Sequence, residues 1–219
     1  MLACRIHGEG DVRVEEQPQP APGPGEVLLK LGAGGICGSD LHYWQHGRVG
    51  DFVVREPLIP GHEASATVAA VGADVTRAKP GDQVAVSPSH ACGRCEACRG
   101  GRENLCRRMF FLGSASVFPH AQGFFREYFV LHERQCYPVA GEVPLAELAF
   151  AEPLAVALHA VNRGGNLLGA SVLVTGAGPI GSLIVMAARL GGATHVACSD
   201  VLDRPLEIAA AVEIGRAHV

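Results

Sequence analysis

The 219-residue sequence lacks the features that mark a membrane-spanning, a secreted or a nucleic-acid-binding protein. No apolar run approaches the roughly 18 residues that a membrane-spanning helix needs. The first residues, MLACRIHGEGDVRVEE, do not follow the basic-then-apolar plan of a signal peptide, so we expect a cytoplasmic protein. Basic residues form no cluster and the formal net charge is −4, which argues against nucleic acid and membrane surfaces as partners.

The composition is that of a globular protein with many turns. Hydrophobic residues make up 48% of the chain and charged residues 18%, enough to bury a core. The 28 glycines and 14 prolines follow no repeat, which excludes a collagen-like chain. Eight cysteines in a cytoplasmic protein indicate metal binding or catalysis and not disulfides.

The hydrophobic pattern changes along the chain and predicts two domains, residues 1–150 and residues 151–219. Up to about residue 140, short apolar runs between glycines and prolines predict strands (GEVLLKLGAGGIC, SATVAAVG, DQVAVSP) and an all-β, barrel-like domain without helices. A helix is then expected from Pro153 towards His159, ended by Gly164 and Gly165. The following segment, from SVLVT to THVACSD, predicts a strand, a glycine-rich turn, a helix and a second strand.

Four cysteines lie within fifteen residues, in the pattern C-x2-C-x2-C-x7-C: Cys92, Cys95, Cys98 and Cys106. Four thiolates on a short loop suit a closed, tetrahedral structural zinc site. An iron–sulfur cluster is the nearest competitor, but the bacterial ferredoxin run has a last spacing of three and a following proline. Here that spacing is seven and Arg107 follows.

A second set of metal ligands is spread over two short motifs, Cys37 in GICGSDLH and His62–Glu63 in PGHE. A thiolate, an imidazole and carboxylates are ligands that a catalytic zinc uses, with one position left open. Taken singly, the cysteine is more often a buried apolar residue, the histidine a structural one and the glutamate a solvated one. The sequence pattern alone does not join them.

Five motifs in the same order resemble the zinc-dependent medium-chain dehydrogenases, and most of all their sorbitol (polyol) dehydrogenase branch. They are GICGSDLH, PGHE, the four-cysteine segment, AEPLAVALHA and VTGAGPIG, and the resemblance runs from Val27 to about Asp200. It implies a GroES-like β-barrel catalytic domain followed by the first part of a Rossmann-type doubly wound parallel sheet. It also implies two zinc ions per chain and a homodimer or homotetramer.

The same resemblance implies a role for individual residues. Cys37, His62 and Glu63 match positions of the catalytic zinc, and Glu152 matches the carboxylate that ligates the zinc or holds its water. Ser39 and His42 match a hydroxyl and an imidazole that relay the substrate proton to solvent. Histidine suits that step because its ordinary pKa lies near neutrality.

The glycine-rich turn follows the G-x-G-x-x-G pattern with Gly176, Gly178 and Gly181, and Pro179 and Ile180 open the helix after it. A strand before the pattern and a helix after it are the context that a dinucleotide site requires. Asp200 ends the next strand, where a carboxylate binds the adenosine ribose and repels a 2′-phosphate. We therefore expect NAD, with NADP as the alternative because Arg204 lies nearby. A glycine-rich turn without a ligand is the other interpretation.

Residues 109–125, MFFLGSASVFPHAQGFF, resemble the L-idonate 5-dehydrogenase group more than sorbitol dehydrogenases. This implies a small sugar acid as substrate, with His120 and Arg126 as candidates for its carboxylate and Tyr43 for a hydroxyl. Packing of the loop and a solvated Arg126 are the other interpretations. A sorbitol- or xylitol-type polyol dehydrogenase is the alternative enzyme. A zinc-binding scaffold protein is the alternative outside enzymes, and a zinc-independent quinone reductase is excluded by the cysteines and by PGHE.

A dinucleotide-binding fold needs two βαβαβ halves, and this sequence predicts one βαβ unit and part of a further helix, DRPLEIAAAVEIG. We therefore expect a longer parent enzyme and little activity from these residues alone. The final IGRAHV matches one reading frame of a common sequencing adapter, which suggests the hypothesis of adapter read-through.

Overall fold

The computed structural model describes residues 1–211, so the read-through hypothesis for IGRAHV lies outside the described residues. The chain forms two compact units, Met1–Glu152 and a second that begins at Pro153. The strands of the first unit are β1 Leu2–Gly8, β2 Asp11–Glu16, β3 Glu26–Gly35, β4 Arg48–Val49, β5 Phe52–Val53, β6 Glu63–Val71, β7 Gln83–Val86, β8 Ser89–His90, β9 Phe110–Phe111, β10 Tyr128–His132 and β11 Cys136–Pro138. Its helices are α1 Gly38–His46, α2 Glu96–Arg99 and α3 Leu145–Leu148.

A five-stranded antiparallel sheet in the order β10-β3-β6-β7-β11 forms the core of the first unit. Strand β10 shows why these residues form a sheet, because its side chains alternate between buried and half-buried positions. Phe129 from β10 packs against Phe124, with ring centroids 4.6 Å apart. Both rings are fully buried, together with valines and leucines from β3, β6 and β7. The sheet therefore buries an apolar core. The candidate metal ligands Cys37, His62 and Glu63 lie at or next to the ends of strands β3 and β6.

The three predicted strands are present as β3, β6 and β7, but the prediction that this part of the chain lacks helices was wrong. Helix α1 covers GSDLHYWQH, in which Asp40 and Tyr43 are the buried residues. Its apolar periodicity is too weak to predict a helix. The helix is stabilised at its start by Asp40, whose Oδ2 accepts a hydrogen bond from the Cys37 N–H at 2.9 Å.

The second unit is an α/β arrangement. Helix α4 (Ala151–Arg163) leads into it, followed by β12 Ser171–Thr175, α5 Pro179–Leu190, β13 His195–Ser199 and α6 Asp203–Ala211. Strands β12 and β13 pair in parallel, and α5 connects them as predicted. Helix α4 places Pro153 in its first turn, and Gly165 follows its end with a φ of +84°, as the pattern indicated. None of the helices within residues 1–211 has the length and apolar character to span a bilayer.

Candidate metal centres and nucleotide-binding turn

The four cysteines of the C-x2-C-x2-C-x7-C segment converge, and we call residues 92–106 the cysteine lobe. The four Sγ atoms lie within 4.8 Å of one another. Adjacent pairs are closer: Cys95 to Cys98 is 3.4 Å, and Cys92 to Cys98 and Cys95 to Cys106 are both 4.0 Å. Helix α2 starts directly after Cys95 and directs Cys98 back into the lobe.

These distances fit a tetrahedral zinc ion. Four sulfurs at the usual Zn–S length of about 2.3 Å lie roughly 3.8 Å apart, which is within the observed range. Backbone N–H groups of Cys92 and Arg108 donate to the Cys106 Sγ at 3.3 Å each, as they would to a thiolate. The N–H and side chain of Cys98 lower the pKa of Cys95 to about 6, so one thiol is ionised at neutral pH without a metal. Four protein ligands leave no open position, which is typical of a structural site.

The second cluster joins residues that are remote in sequence. Cys37 lies at the start of α1, and His62 and Glu63 lie where β6 begins. One ligand atom of each lies within 4.8 Å of the others. Register brings them together, because Gly35 at the end of β3 pairs with Glu63. A Cβ at Gly35 would overlap the end of the Glu63 side chain, so a larger residue there would displace the carboxylate from its present position.

The surroundings of Cys37 favour the thiolate form of its side chain, which is the form that binds a metal. A hydrogen bond from His62 lowers the pKa of Cys37; burial opposes this, and the N–H and hydroxyl of Ser39 add to the lowering. For His62, burial disfavours the charged ring, but contacts with Cys37 and Asp40 outweigh it and raise the pKa of His62. Thiolate, imidazole and carboxylate donors in one half-buried cluster fit a catalytic zinc with an open position.

Asp40 is a positioning residue that the sequence analysis missed. It is 4% exposed, and its Oδ1 accepts from the Gly61 N–H at 2.9 Å while Oδ2 accepts from the Cys37 N–H. Oδ1 also lies 3.8 Å from His62 Nδ1, a buried nitrogen without a hydrogen bond. One carboxylate therefore fixes the backbone at Cys37 and at Gly61, the residue before His62, and places its negative charge near the His62 ring. An aspartate three residues after Cys37, in a motif that already held a ligand, was the available signal.

Glu152 lies near this cluster but outside the group whose ligand atoms are within 4.8 Å of each other. Burial raises the pKa of Glu152, the charge of His62 lowers it, and the charge of Glu63 raises it. The charge of Glu152 therefore interacts with both His62 and Glu63. A positive ion between the two glutamates would relieve the burial and the repulsion together.

Ser39 and His42 occupy neighbouring turns of α1. Ser39 is half-buried, and its N–H and hydroxyl lower the pKa of Cys37. His42 is exposed and lies one turn further along the helix. The half-buried Ser39 is thus nearer to Cys37 than the exposed His42, and the proton relay stays a prediction.

Two of the three residues predicted to contact the substrate have their polar atoms hydrogen-bonded to other parts of the protein. Tyr43 is 3% exposed, and its hydroxyl accepts from the Ala115 N–H at 3.0 Å. His120 is 5% exposed; its Nε2 accepts from the Arg55 N–H at 2.9 Å and its Nδ1 faces the Val117 carbonyl at 2.9 Å. We correct both predictions, since neither side chain has a free polar atom for a substrate.

Arg126 is also not the solvated surface residue of the alternative interpretation. Burial and, to a smaller extent, the charge of Arg5 together lower the pKa of Arg126 to about 10. Its Nε is buried without a hydrogen-bond partner, and the residue borders an open cleft of about 670 Å³ together with Ile36 and Phe125. A guanidinium at the edge of a cleft suits a carboxylate, so Arg126 stays a prediction.

The glycine-rich turn has the geometry of a phosphate-binding loop. Gly176 has a φ of +93°, Gly178 precedes the first residue of α5, and Pro179 takes the first helical position with Ile180 after it. A Cβ at Gly181 would overlap the Gly176 carbonyl oxygen, so the helix packs on the turn only with glycine there. The free N–H groups at the N-terminus of α5 can donate hydrogen bonds to a phosphate.

Asp200 lies at the end of β13, and its carboxylate contacts the same turn. Oδ2 accepts from the Ala177 N–H at 2.7 Å and Oδ1 from the Leu202 N–H at 3.0 Å. These backbone hydrogen bonds lower the pKa of Asp200, so it is ionised at neutral pH. Arg204 instead pairs with Glu207 on its own helix at 2.9 Å. The charge nearest to the turn is therefore negative.

Comparison with known proteins agrees with this arrangement. A family model described as "Alcohol dehydrogenase GroES-like domain" matches residues 23–141. L-idonate 5-dehydrogenase (NAD(P)(+)) of Escherichia coli is 42% identical over 94% of this chain, and sorbitol dehydrogenase of Gallus gallus is 46% identical over 95%. The chain spans 59% and 58% of the length of these two relatives.

A solved structure shows the same fold. The crystal structure of L-idonate 5-dehydrogenase from Escherichia coli superimposes with a TM-score of 0.92 at 41% identity, over 98% of this chain and 61% of that one. The predicted fold class is confirmed: a GroES-like antiparallel β domain followed by the start of a parallel α/β sheet.

Proposed function

The chain belongs to the zinc-dependent medium-chain dehydrogenases, and on that premise we propose that its protein oxidises a secondary alcohol of a polyol or sugar acid with a nicotinamide cofactor. The observation that carries the proposal is the cluster of Cys37, His62 and Glu63 with Asp40 behind it. A scaffold would need the cysteine lobe but not this second, half-buried cluster.

Each metal group has its own proposed ligands. Cys37, His62 and Glu63, with Glu152 as the exchanging carboxylate, would hold a catalytic zinc, and the four lobe cysteines would hold a structural one. When bound, a zinc ion with an open position acts as a Lewis acid and lowers the pKa of an alcohol. Ionised Cys37, favoured by its contacts with His62 and Ser39, would meet the metal as a thiolate.

The chain's own residues would carry the proton. Oxidation moves a hydride from the alcohol carbon to the nicotinamide ring, and the hydroxyl proton has to leave in parallel. Ser39, beside the Cys37 sulfur, would accept that proton at its hydroxyl oxygen and pass its own to His42. His42 is exposed and would release the proton to water, a step suited to an imidazole near neutral pH.

We propose NAD as the preferred cofactor, held at the glycine-rich turn. The ionised Asp200 lies against Ala177 in that turn, where it would bind ribose hydroxyls and repel a 2′-phosphate. Arg204, the cation that could bind a 2′-phosphate, is paired with Glu207 instead. A higher kcat/KM with NAD⁺ than with NADP⁺ supports this assignment, and the reverse order overturns it.

For the substrate we propose L-idonate, oxidised to 5-keto-D-gluconate, with sorbitol and xylitol as the alternatives. The support is the segment 109–125 and the guanidinium of Arg126 at the edge of a cleft, which would suit a carboxylate. The test is kcat/KM for the three compounds, measured with the protein that carries this chain. Faster turnover of sorbitol than of L-idonate overturns the sugar-acid assignment, and no NAD(P)-dependent turnover of any of them overturns the proposed function.

A further inference from the structure

Helix α1 carries a second histidine one turn beyond His42. His42 and His46 are four residues apart, and their ring centroids lie 5.5 Å apart with an interplanar angle of 46°. Both side chains are exposed, and within residues 1–211 neither ring nitrogen makes a hydrogen bond to the protein. The four ring nitrogens are thus open to solvent on one face of a short helix.

The separation suits a shared metal ion. A ring centroid lies about 3.2 Å from a metal bound at about 2.05 Å from one of its nitrogens, so two rings at a tetrahedral angle have centroids about 5.2 Å apart. The observed 5.5 Å is close to this value. Rotation about the side-chain bonds of two exposed histidines can supply the remaining adjustment, and water would complete the coordination.

The charge of this end of α1 also favours a cation. His46 is the last residue of the helix, and Gly47 caps it in a left-handed conformation with its N–H on the Tyr43 carbonyl. Free carbonyl groups give a helix C-terminus a partial negative charge. The turn between β1 and β2 adds Glu9, whose Cβ would lie 3.7 Å from a Cβ at Gly47.

We propose that His42 and His46 form a binding site for a divalent transition cation such as Zn²⁺, Ni²⁺ or Cu²⁺, the ions that imidazole pairs favour. The site is separate from the two metal clusters described above. Its consequence for activity rests on the proposed function: a cation on His42 blocks the proton outlet, so excess zinc inhibits alcohol oxidation.

Trp44 provides a readout that does not depend on activity. It is the only tryptophan of the 219 residues, and along α1 it is two residues from each of the two histidines. Ni²⁺ and Cu²⁺ quench nearby indole fluorescence. We expect saturable quenching of Trp44 when Ni²⁺ is added to the chain purified with zinc, at pH 7.5. Replacing His46→Gln should weaken the apparent affinity by about tenfold or more, because one of two ligands is lost.

The matched control is His159→Gln, an exposed histidine on α4 with Ala155 and Arg163 at the positions four residues away. It should quench like the unchanged chain, and zinc content measured after the titration should be constant. Equal quenching curves for His46→Gln and the unchanged chain, or no quenching at millimolar Ni²⁺, would overturn the site.

The second arm is inhibition of turnover by added Zn²⁺, expected in the unchanged protein and relieved at least about tenfold in His46→Gln. Absence of turnover in every variant would count against the proposed function, whereas the Trp44 titration decides the cation site by itself. Inhibition that is equal in His46→Gln overturns the link between the site and the proton outlet.

Discussion

The two candidate metal sites of the first unit differ in how the chain brings their ligands together. All four ligands of the cysteine lobe come from residues 92–106, so local turns and the short helix α2 suffice to bring them together. The cluster of Cys37, His62 and Glu63 needs the start of α1, the end of β3 and the start of β6 in register. A metal site within one segment stabilises that segment, whereas a metal site assembled across a sheet can form only after the sheet has folded.

The two sets of ligands also differ in the groups that surround them. In the lobe, the sulfurs contact one another, and two backbone N–H groups donate to the Cys106 Sγ. In the assembled cluster, the buried carboxylate of Asp40 holds both Cys37 and the loop before His62. We therefore expect substitutions in the lobe to affect stability and substitutions in the assembled cluster to affect turnover.

The largest expected effect is on turnover, from Cys37→Ser. Loss of a ligand should lower kcat/KM by a hundredfold or more, since even outer partners of metal ligands contribute tenfold to a hundredfold. The midpoint of thermal unfolding should change little. Cys4→Ser is the control, because Cys4 is half-buried and belongs to neither cluster. Unchanged turnover in Cys37→Ser would contradict the assignment.

The second prediction concerns Cys98→Ala in the lobe. A structural zinc contributes folding free energy, so this variant should lose the lobe metal and expose residues 92–106. Limited trypsin digestion should then cleave after Arg94, Arg99 or Arg102 faster than in the unchanged chain, where we expect the bound metal to hold these exposed residues in a fixed backbone conformation. Cys136→Ala replaces another buried cysteine outside the clusters and should stay protected. Equal protection of both variants would show that the lobe needs no metal.

A smaller effect is expected from Asp40→Asn. The amide oxygen can still accept from the Gly61 N–H, but the NH₂ group cannot accept from the Cys37 N–H. An unsatisfied buried N–H costs about 1–3 kcal/mol, and loss of orientation at His62 should lower kcat/KM by about tenfold to a hundredfold. Unfolding curves and kinetics measure the two parts. Asp51→Asn, on the surface, should change neither, and wild-type turnover in Asp40→Asn would remove its positioning role.

The smallest expected effect is a difference in thiol reactivity immediately after a chelator has removed metal, while residues 92–106 still keep the contacts described above. The pKa of Cys95 is lowered to about 6 by the Cys98 N–H and side chain, whereas burial raises the pKa of Cys98 to about 12. Alkylation of Cys95 by iodoacetamide should rise as pH increases through about 6 and level off above it, because the thiolate is the reactive form. Cys98 should stay unmodified in that range. Peptide mapping distinguishes the two, and earlier labelling of Cys98 would reverse the expected order.

Sequence patterns predicted what depends on short spacings. The lobe follows from four cysteines in fifteen residues, and the glycine-rich turn from a G-x-G-x-x-G pattern between a strand and a helix. Strands β3, β6 and β7 followed from apolar runs between turn residues. Each of these signals is local, so the rest of the fold was not needed to interpret it.

The features that were missed depend on tertiary contacts. Helix α1 has no apolar stripe, and Asp40 acquires its role only when Gly61 and His62 pack against it. Tyr43 and His120 looked available for a substrate because a sequence does not show that their polar atoms meet Ala115, Arg55 and Val117. The second metal cluster was suggested by resemblance, since the spacing of Cys37 and His62 carries no metal signature by itself.

The central claim is that the two clusters bind metal independently, and the zinc content per chain tests it most directly. Elemental analysis of the purified chain, Cys37→Ser and Cys98→Ala should give two, one and one zinc ions. One zinc in the unchanged chain would support a scaffold with a structural site alone. Loss of both ions in either variant would show that the two clusters are not separate, and it would contradict the account.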